Sequence, residues 1–389
     1  MSASARWRNL GVAAAAPAAV LFAAFDLYQW SLAYVGDRFH NDFTFYAAAA
    51  RIGLAHGWPS IYDLTLQQAQ LDAMGSRITI AELARYISPP PVAWLAVPFT
   101  ALPYEIGYWT WCTLLVAALV GAWWLAAPAH GRARWIFLAA AIGWLPVIYG
   151  LQLGQPGLFI ALGVAASYAL LKANRPLWAG IALGVLALKP QLAFLVPAAL
   201  LFARRDRAFV GSVLSLGSLA VLSVIALGAG GLADYQARLN FAAGVPVNRE
   251  LTLAFFLGAG SPTRVIQIAL GLWSLVLAYR TRSRGVEWLY ACALVGGMLA
   301  TPYAHLDDLM MLGLAAWLLL RVERSPVTWV YALAAAIAIE GEPIWGPAPV
   351  LAAEIGALAL LTVAAFRPEP APAVPRAQAA RSPRPTTPR

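Results

Sequence analysis

Residues 36–46 read GDRFHNDFTFY and begin the longest polar stretch of the chain, which continues to residue 89. Of the 389 residues, 61% are hydrophobic and 12% are charged, whereas soluble domains carry about 25% charged residues. Apolar segments of about 20 residues, long enough to cross a bilayer as helices, flank this stretch. The contrast predicts an all-α polytopic membrane protein in which residues 36–89 form a loop outside the bilayer.

The apolar segments show no strand alternation, which favours a helical bundle over a barrel. The first of them extends to Val35, beyond the about 7–15 residues of a cleaved signal core, so we expect a retained first helix. Further crossings are predicted at residues 104–127, 135–150, 156–171, 176–189, 190–203, 208–229, 262–280, 286–300, 304–320, 326–341 and 348–366, which makes roughly twelve in all.

The net charge of +9 would suggest nucleic acid in a soluble protein. Here most lysines and arginines fall in short cytoplasmic connections if the N-terminus is inside and each segment changes side. This pattern predicts the inner (plasma) membrane, with residues 36–89 on its extracytoplasmic face and no nucleic-acid partner. Residues 367–389, rich in Pro, Ala and Arg, predict a disordered basic cytoplasmic tail touching anionic membrane lipid.

The polar loop contains two predicted helices. Residues 43–55 place apolar side chains on one face at helical spacing, and residues 61–87 mix apolar and polar side chains as a helix on the bilayer surface would. Together they would form a helical lid over the bundle. Residues 92–102, after the SPPP of residues 88–91, are too short to span and suggest a re-entrant segment beside a cavity. A second outer loop is expected at 230–250.

Lys189, in ALKPQL, lies deep in an apolar sequence. An unpaired lysine at a helix centre costs about 2.5–3.5 kcal/mol, so we expect it to face a wet cavity or an anion such as phosphate. The alternative is a lysine that snorkels to the headgroups. Gln155, in GLQLGQPG, lies at another outer junction, where a glycine and proline turn is the alternative.

Residues 301–308 read TPYAHLDD and bring His305 next to two carboxylates. Such a histidine suits a proton relay, an anion ligand or a metal site, whereas the acids could simply cap helix ends. Asp37 and Asp42 carry the same ambiguity, because aspartate is a favoured N-cap. The topology nevertheless places Asp42, Gln155, Lys189 and His305 on one outer face. No Cys or His ligand spacing is present, so we expect no metal and no cofactor.

Six short motifs occur in the order found in polyprenyl-phosphate-mannose-dependent mannosyltransferases of the GT-C fold, which the chain resembles over residues 10–366. Many members of that family read Ser-Pro-x-Ser-Trp-x-His in the last motif, whereas this chain has no tryptophan there. The motifs are DFTFYAAA at 42–49, IYD at 61–63, SPP at 88–90, GQ at 154–155, LKPQ at 188–191 and TPYAH at 301–305.

The resemblance implies a GT-C-like bundle, a polyprenyl-phosphate hexose donor, usually mannose, and an inverted product linkage. It implies that residues 1–366 form an integral membrane glycosyltransferase-like domain with residues 36–89 as its catalytic loop, acting on a glycolipid or glycan acceptor. Asp42 would be the general base, and Lys189, His305 and Arg249 would bind the donor phosphate. The expected substrate cavity is formed by Asp37, Tyr46, Tyr62, Gln155, Gln191, Tyr303 and Asp308.

Two other classes of protein fit parts of this pattern. A lipid-linked-sugar flippase or secondary transporter would also have broken helices and an ionisable residue in the membrane. Transporters, however, commonly show inverted repeats and midplane ionisable groups, and neither is evident in the sequence. A non-catalytic scaffold would leave Lys189 and the long polar loop unexplained.

Overall fold

The computed structural model describes residues 3–81, 85–128, 131, 133–323 and 325–367, which form helices and no strand. The predicted tail lies outside these residues, apart from Arg367. The helices are α1 Ala3–Gly36, α2 Asp42–His56, α3 Leu64–Ala73, α4 Pro90–Ala96, α5 Tyr104–Ala126, α6 Ala133–Ile142, α7 Leu145–Leu153, α8 Gly157–Lys172, α9 Pro176–Ala182, α10 Leu195–Phe202, α11 Asp206–Gly244, α12 Leu253–Leu257, α13 Ser261–Arg280, α14 Val286–Ala300, α15 Met310–Val322, α16 Pro326–Glu340, α17 Glu342–Trp345 and α18 Ala348–Phe366.

Five of these helices are long and apolar enough to cross a membrane, within α1, α5, α11, α13 and α18, and the pair α6 and α7, bent by 55°, makes a sixth span if counted as one. The protein is therefore a polytopic membrane protein, as predicted. The total of roughly twelve crossings is not reached by this criterion. Several of the other predicted crossings form shorter apolar helices, among them α8, α14 and α16.

Most predicted segments correspond to a helix within a few residues. Prolines explain several of the starts, because α7, α9, α13 and α16 each carry a proline in the first turn. The first-turn amides of a helix have no intrahelical partner, so a proline costs nothing there. The predicted helix at residues 43–55 is confirmed as α2, which begins one residue earlier.

The second predicted helix of the polar loop is wrong in extent. α3 ends at Ala73, and Gly75 follows in the left-handed region with φ of +76°. A residue with positive φ cannot continue a right-handed helix, which stops the periodicity that the sequence suggested. Within the loop, α2 buries every residue from Phe43 to Ala50, so this helix is packed into the protein.

The loop predicted at 230–250 is helical over most of its length, because α11 continues to Gly244 after a break at Gly228, where φ is 58° and ψ is −172°. The part beyond the break packs on the polar loop. Tyr235 stacks on Tyr62 with ring centroids 4.8 Å apart, and Gly231 lies against Pro59 with too little room for a side chain. The second half of α11 thus covers the polar loop.

The helix α8 connects two chemically different ends of the bundle. It begins beside Gln155, near α2, and ends at Lys172, whose ammonium lies 2.6 Å from Glu287 in the first turn of α14. Several of the basic turns that the sequence predicts to be cytoplasmic gather at this second end. The Arg321 side chain, at the end of α15, connects two neighbouring helices at this end. It donates to the carbonyl of Ala127, just after α5, at 2.9 Å, and it lies over the Tyr168 ring of α8.

Candidate functional site

The polar site begins at the first turn of α2. Asn41 is the N-cap, because its Oδ1 accepts a hydrogen bond from the Thr44 amide at 3.1 Å. Asp42 is therefore not needed as a cap. Its partly exposed side chain instead accepts a hydrogen bond from the amide nitrogen of Gln155. The capping explanation for Asp42 consequently fails, and its carboxylate is available for other chemistry.

Gln155 joins Asp42 to a lysine. α7 ends at Gly154, whose φ of 71° turns the chain. As a result, the backbone N–H of Gln155 donates to the Gly150 carbonyl at 2.8 Å. This turn aims the buried Gln155 side chain at α2. While its Nε2 donates to Asp42, its Oε1 accepts from the Lys189 ammonium and from the Tyr46 hydroxyl, each at 3.3 Å.

Lys189 lies between two 3₁₀ turns, Leu183–Leu188 and Pro190–Leu192, and is only 8% exposed. It does not snorkel. Its ammonium lies 2.9 Å from Asp307 Oδ2 and also contacts Asp308. Burial alone would lower the pKa of Lys189, but the two carboxylates outweigh it and hold that pKa above its usual range. The lysine is therefore charged and paired within the protein.

The ammonium has three partners: it donates hydrogen bonds to Asp307 and Gln155 and forms an ion pair with Asp308. Two of these partners are acidic side chains, so the local charge is not positive. Lys189 is thus no free cation waiting for an anion. A phosphate group can bind it only by replacing one of these three partners, of which Gln155 is the uncharged and more distant one.

His305 occupies the N-terminus of the 3₁₀ turn Leu306–Leu309, where its amide donates to Asp308 Oδ2 at 3.0 Å. Asp308 therefore serves both as a cap and as a partner of Lys189. The His305 Nε2 lies 2.8 Å from Asn248 Oδ1. Because Asn248 Nδ2 donates to the Ala242 carbonyl at 2.8 Å, its oxygen faces the histidine, and Nε2 must carry the proton.

Burial sets the protonation of the ionisable groups. Burial, and then the charge of Asp307, raise the pKa of Asp42 to about 7 against the opposing effects of Lys189 and Gln155. Burial likewise raises the pKa of Asp308, and it lowers that of His305 to about 4, so the imidazole is neutral near pH 7. For Asp307, Lys189 and His305 overcome burial and lower the pKa. A carboxyl group with a pKa near 7 is well matched to accept a proton.

Four expected site residues lie outside this network. Asp37 is exposed and accepts from the amide of Phe39 at 3.0 Å, which closes its own turn. Tyr62 donates to the Ser88 carbonyl at 2.8 Å, and its ring stacks between those of Tyr86 and Tyr235. Among the described residues, neither Gln191 nor Arg249 makes a side-chain hydrogen bond, although each adjoins a residue of the site, Lys189 or Asn248 respectively.

Tyr303 lies closer, with its ring 4.7 Å from that of His305 and within electrostatic reach of Lys189. Three further residues were not among the expected site residues: Asp307, for which a helix cap was the alternative; Asn248, which orients His305; and Tyr149, which is close enough to Asp307, Asp42 and Lys189 to interact electrostatically. The adjacency of two acids at 307–308 was the one available signal. Across the described residues, no group of three or more His, Cys, Asp or Glu side chains is arranged to hold a metal ion.

Comparison with known proteins adds one finding. The model of a family described as glycosyltransferase family 87 matches residues 86–337. That range includes Gln155, Lys189, His305 and Asp307, whereas Asp42 precedes it. No curated protein and no solved structure matches the chain.

Proposed function

Because the chain belongs to glycosyltransferase family 87, a membrane family of the GT-C type, we propose that it transfers a hexose, specifically mannose, from a polyprenyl-phosphate donor to a glycolipid or glycan acceptor. The family membership favours a transferase over the transporter and the scaffold that parts of the sequence pattern also fit. We further propose that residues 36–89 are its catalytic loop and that the reaction takes place on the extracytoplasmic face of the inner membrane.

One observation carries the mechanism: Asp42, with a pKa near 7, is joined through Gln155 to Lys189. In the proposed reaction, Asp42 accepts the proton of the acceptor hydroxyl as that oxygen bonds to the anomeric carbon. The bond from this carbon to the donor phosphate oxygen breaks on the opposite face, and the phosphate leaves with the electron pair. Attack from the opposite face inverts the anomeric configuration.

Lys189 supports the leaving phosphate in this scheme by exchanging one of its partners. The donor phosphate would replace Gln155 Oε1, the neutral acceptor, while Asp307 and Asp308 keep the ammonium in position. His305 is neutral and donates Nε2–H to Asn248, so its contribution would be a hydrogen bond through Nδ1 and not a positive charge. Arg249, next to Asn248, is the nearby half-buried cation that this scheme assigns to the outer side of the phosphate.

The test is mannose transfer from a labelled polyprenyl-phosphate mannose, with the protein in membranes and a panel of other lipid-phosphate sugars in parallel. Asp42→Asn should lower the transfer rate at least about 100-fold, the usual effect of removing a general base. Asp72→Asn is the matched control, because Asp72 lies in the same loop but is exposed on α3, where its carboxylate accepts from the Gln68 side chain at 2.8 Å. Transfer by folded Asp42→Asn protein at the wild-type rate would refute the mechanism.

A further inference from the structure

The end of the bundle opposite Asp42 contains a cavity of about 620 Å³ between α9 and α11. Its volume lies within the about 300–1,000 Å³ usual for small-molecule sites. Two arginines line it, Arg175 before α9 and Arg207 in the first turn of α11, together with an aspartate and apolar side chains. The remaining lining residues are Pro176, Leu177, Trp178, Asp206 and Val210.

Two turns of the same kind build this cavity. After α8, Asn174 adopts a positive φ of 57° and the Arg175 amide bonds to the Leu170 carbonyl; after α10, Arg204 adopts a φ of 60° and the Arg205 amide bonds to the Leu200 carbonyl. In each turn, one residue in the left-handed conformation reverses the direction of the chain, and arginines follow at the start of the next helix.

The two helices that follow are held close together by glycines. A side chain on Gly180 of α9 would collide with the Ala208 carbonyl, and one on Gly211 of α11 would collide with the Leu177 carbonyl. The close crossing fixes the spacing between the two turns. The arginine-lined cavity is consequently a feature of the packed fold, and not of two independent loops.

The arginines around this cavity differ from the other cations at the same end of the bundle. Lys172 is paired with Glu287, Arg321 donates to backbone carbonyls, Arg280 stacks on Phe366 and Arg282 stacks on Tyr279. By contrast, the structure, over the residues that it describes, gives no hydrogen bond, ion pair or ring contact to the exposed side chains of Arg175, Arg204, Arg205 and Arg207.

The apolar surroundings identify the kind of anion that these arginines would meet. Trp178 is 60% exposed beside the cavity, and below it Val210, Val213 and Leu214 are exposed along the membrane-spanning part of α11. Tryptophan favours the headgroup level of a bilayer, and exposed aliphatic side chains suit acyl chains. Unpaired guanidinium groups are the preferred partners of phosphate oxygens. A soluble anion would use the arginines but not the apolar strip.

We propose that this cavity, between Arg175 and Arg207, binds the headgroup of an anionic phospholipid, with Trp178 at the headgroup level and the acyl chains along α11. The site is separate from the proposed transferase centre and does not depend on its activity. Arg204 and Arg205 lie beside it and add to the local positive charge.

The experiment is native mass spectrometry of the full-length protein in detergent, titrated with phosphatidylglycerol or phosphatidylcholine. Wild-type protein should retain phosphatidylglycerol about tenfold more tightly than phosphatidylcholine, as expected for charge-assisted contacts. Arg175→Gln with Arg207→Gln should abolish this preference. Arg280→Gln with Arg282→Gln removes equal charge from the same end and should leave the preference unchanged.

Two further measurements test the lipid site, one by fluorescence quenching and one by competition with phosphate. Brominated phosphatidylglycerol should quench tryptophan fluorescence in the wild type, and Trp178→Phe should remove most of the quenched component. This measurement does not depend on the arginine variants. Inorganic phosphate at millimolar concentration should not displace the lipid. Equal retention by the Arg175→Gln/Arg207→Gln variant and the wild type, or displacement by phosphate, would overturn the proposal.

Discussion

The residues with the strongest sequence signal meet in one polar network. Asp42, Gln155 and Lys189 were each expected at an outer junction, and they lie together because α2 enters the bundle and the turn at Gly154 aims Gln155 at it. The partners of Lys189 were not predictable to the same degree. Asp308 was expected in the substrate cavity and a helix cap was the alternative for both acids, but only the packing of the Leu306–Leu309 turn against Lys189 reveals that both carboxyl groups pair with the lysine. An ion pair between residues that are distant along the chain produces no periodic pattern in the sequence, so it cannot be predicted from periodicity.

The pH dependence of transfer follows from Asp42. Its pKa is raised to about 7, so the carboxyl is protonated and inactive as a base below that pH, and kcat/KM should rise with pH through about 7. Gln155→Ala removes a hydrogen bond that favours the carboxylate, and the rise should move to higher pH. Gln152→Ala, in the same turn but without a side-chain hydrogen bond to any described residue, should leave the profile in place. An unshifted Gln155→Ala profile would contradict the assigned link.

Stability should respond sharply to the Lys189 pairing. Lys189→Met leaves Asp307 and Asp308 buried without their cation, and losing one partner of a buried pair costs about 3–5 kcal/mol. Thermal unfolding in detergent should show a much lower Tm, partly restored by adding Asp307→Asn. Arg38→Met removes one partner of an ion pair with Glu105 in which both side chains are well exposed, 50% and 43%, and should cost only about 1 kcal/mol. Similar losses in both single variants would be the contrary outcome.

At the scale of elements, the helix limits were largely readable and the breaks were not. α18 coincides with the predicted segment at 348–366, because an apolar run of this length, with Glu354 as its one charged residue, predicts a single helix. Gly228 and Gly75 both end or break helices through positive φ. Nothing in the flanking sequence separates them from glycines that stay helical, such as Gly217. Backbone conformation at a glycine is decided by packing, so the second half of α11 was mistaken for a loop.

The break in α11 can be tested with a pair of glycines. Gly228→Ala forces a side chain into a φ of 58° and should lower the free energy of unfolding by about 1–2 kcal/mol. Gly217 lies within the same helix with open space around it, so Gly217→Ala should be neutral or stabilise by up to about 1 kcal/mol. Thermal unfolding of the two variants side by side gives the answer; a stabilised Gly228→Ala protein would argue against the break.

Glu340 contacts the bend between α6 and α7. Its Oε2 accepts from the Leu145 amide at 2.8 Å, next to Trp144, which donates to the Ala336 carbonyl. Since α7 carries the turn that orients Gln155, Glu340 acts as a positioning residue. Glu340→Ala should lower kcat, with the pH profile of transfer shifted as in Gln155→Ala, whereas Glu340→Gln keeps an acceptor and should restore both.

The control for this prediction lies two residues away. Glu342 makes no side-chain hydrogen bond with the described part of the chain, so Glu342→Ala should leave the rate and the profile unchanged. If Glu340→Ala lowers only the Tm, with kcat and the pH profile intact, the glutamate stabilises the bend without positioning Gln155.

The whole molecule separates its charges along one axis. The Asp42 network lies at the start of α8, and basic turns lie at its end, with the lysine–glutamate pair of Lys172 and Glu287 joining α8 to α14 there. The positive-inside pattern of the sequence anticipated this separation, because charge bias between loops survives errors in the number of crossings. The crossing number itself stays a prediction, since only five or six of the described helices are long and apolar enough to count as spans and the remaining predicted crossings include shorter apolar helices.

The orientation in the membrane can be measured with single cysteines. The two native cysteines, Cys112 and Cys292, are buried and should contribute little background. A membrane-impermeant maleimide should label Thr65→Cys, on the polar loop, from outside intact cells, and Arg282→Cys only after the membrane is opened. The reverse labelling pattern would place the Asp42 network in the cytoplasm.

The enclosure of Lys189 has a practical consequence for chemical labelling. The sequence contains two lysines, Lys172 and Lys189, and acylating reagents attack only an accessible, deprotonated amine. An ammonium held charged by two aspartates and shut off from bulk water meets neither condition. Apart from the amino terminus, the folded protein therefore offers one reactive amine, Lys172. A fluorophore supplied as an activated ester would acylate this amine and mark the basic end of the bundle at a single, known position.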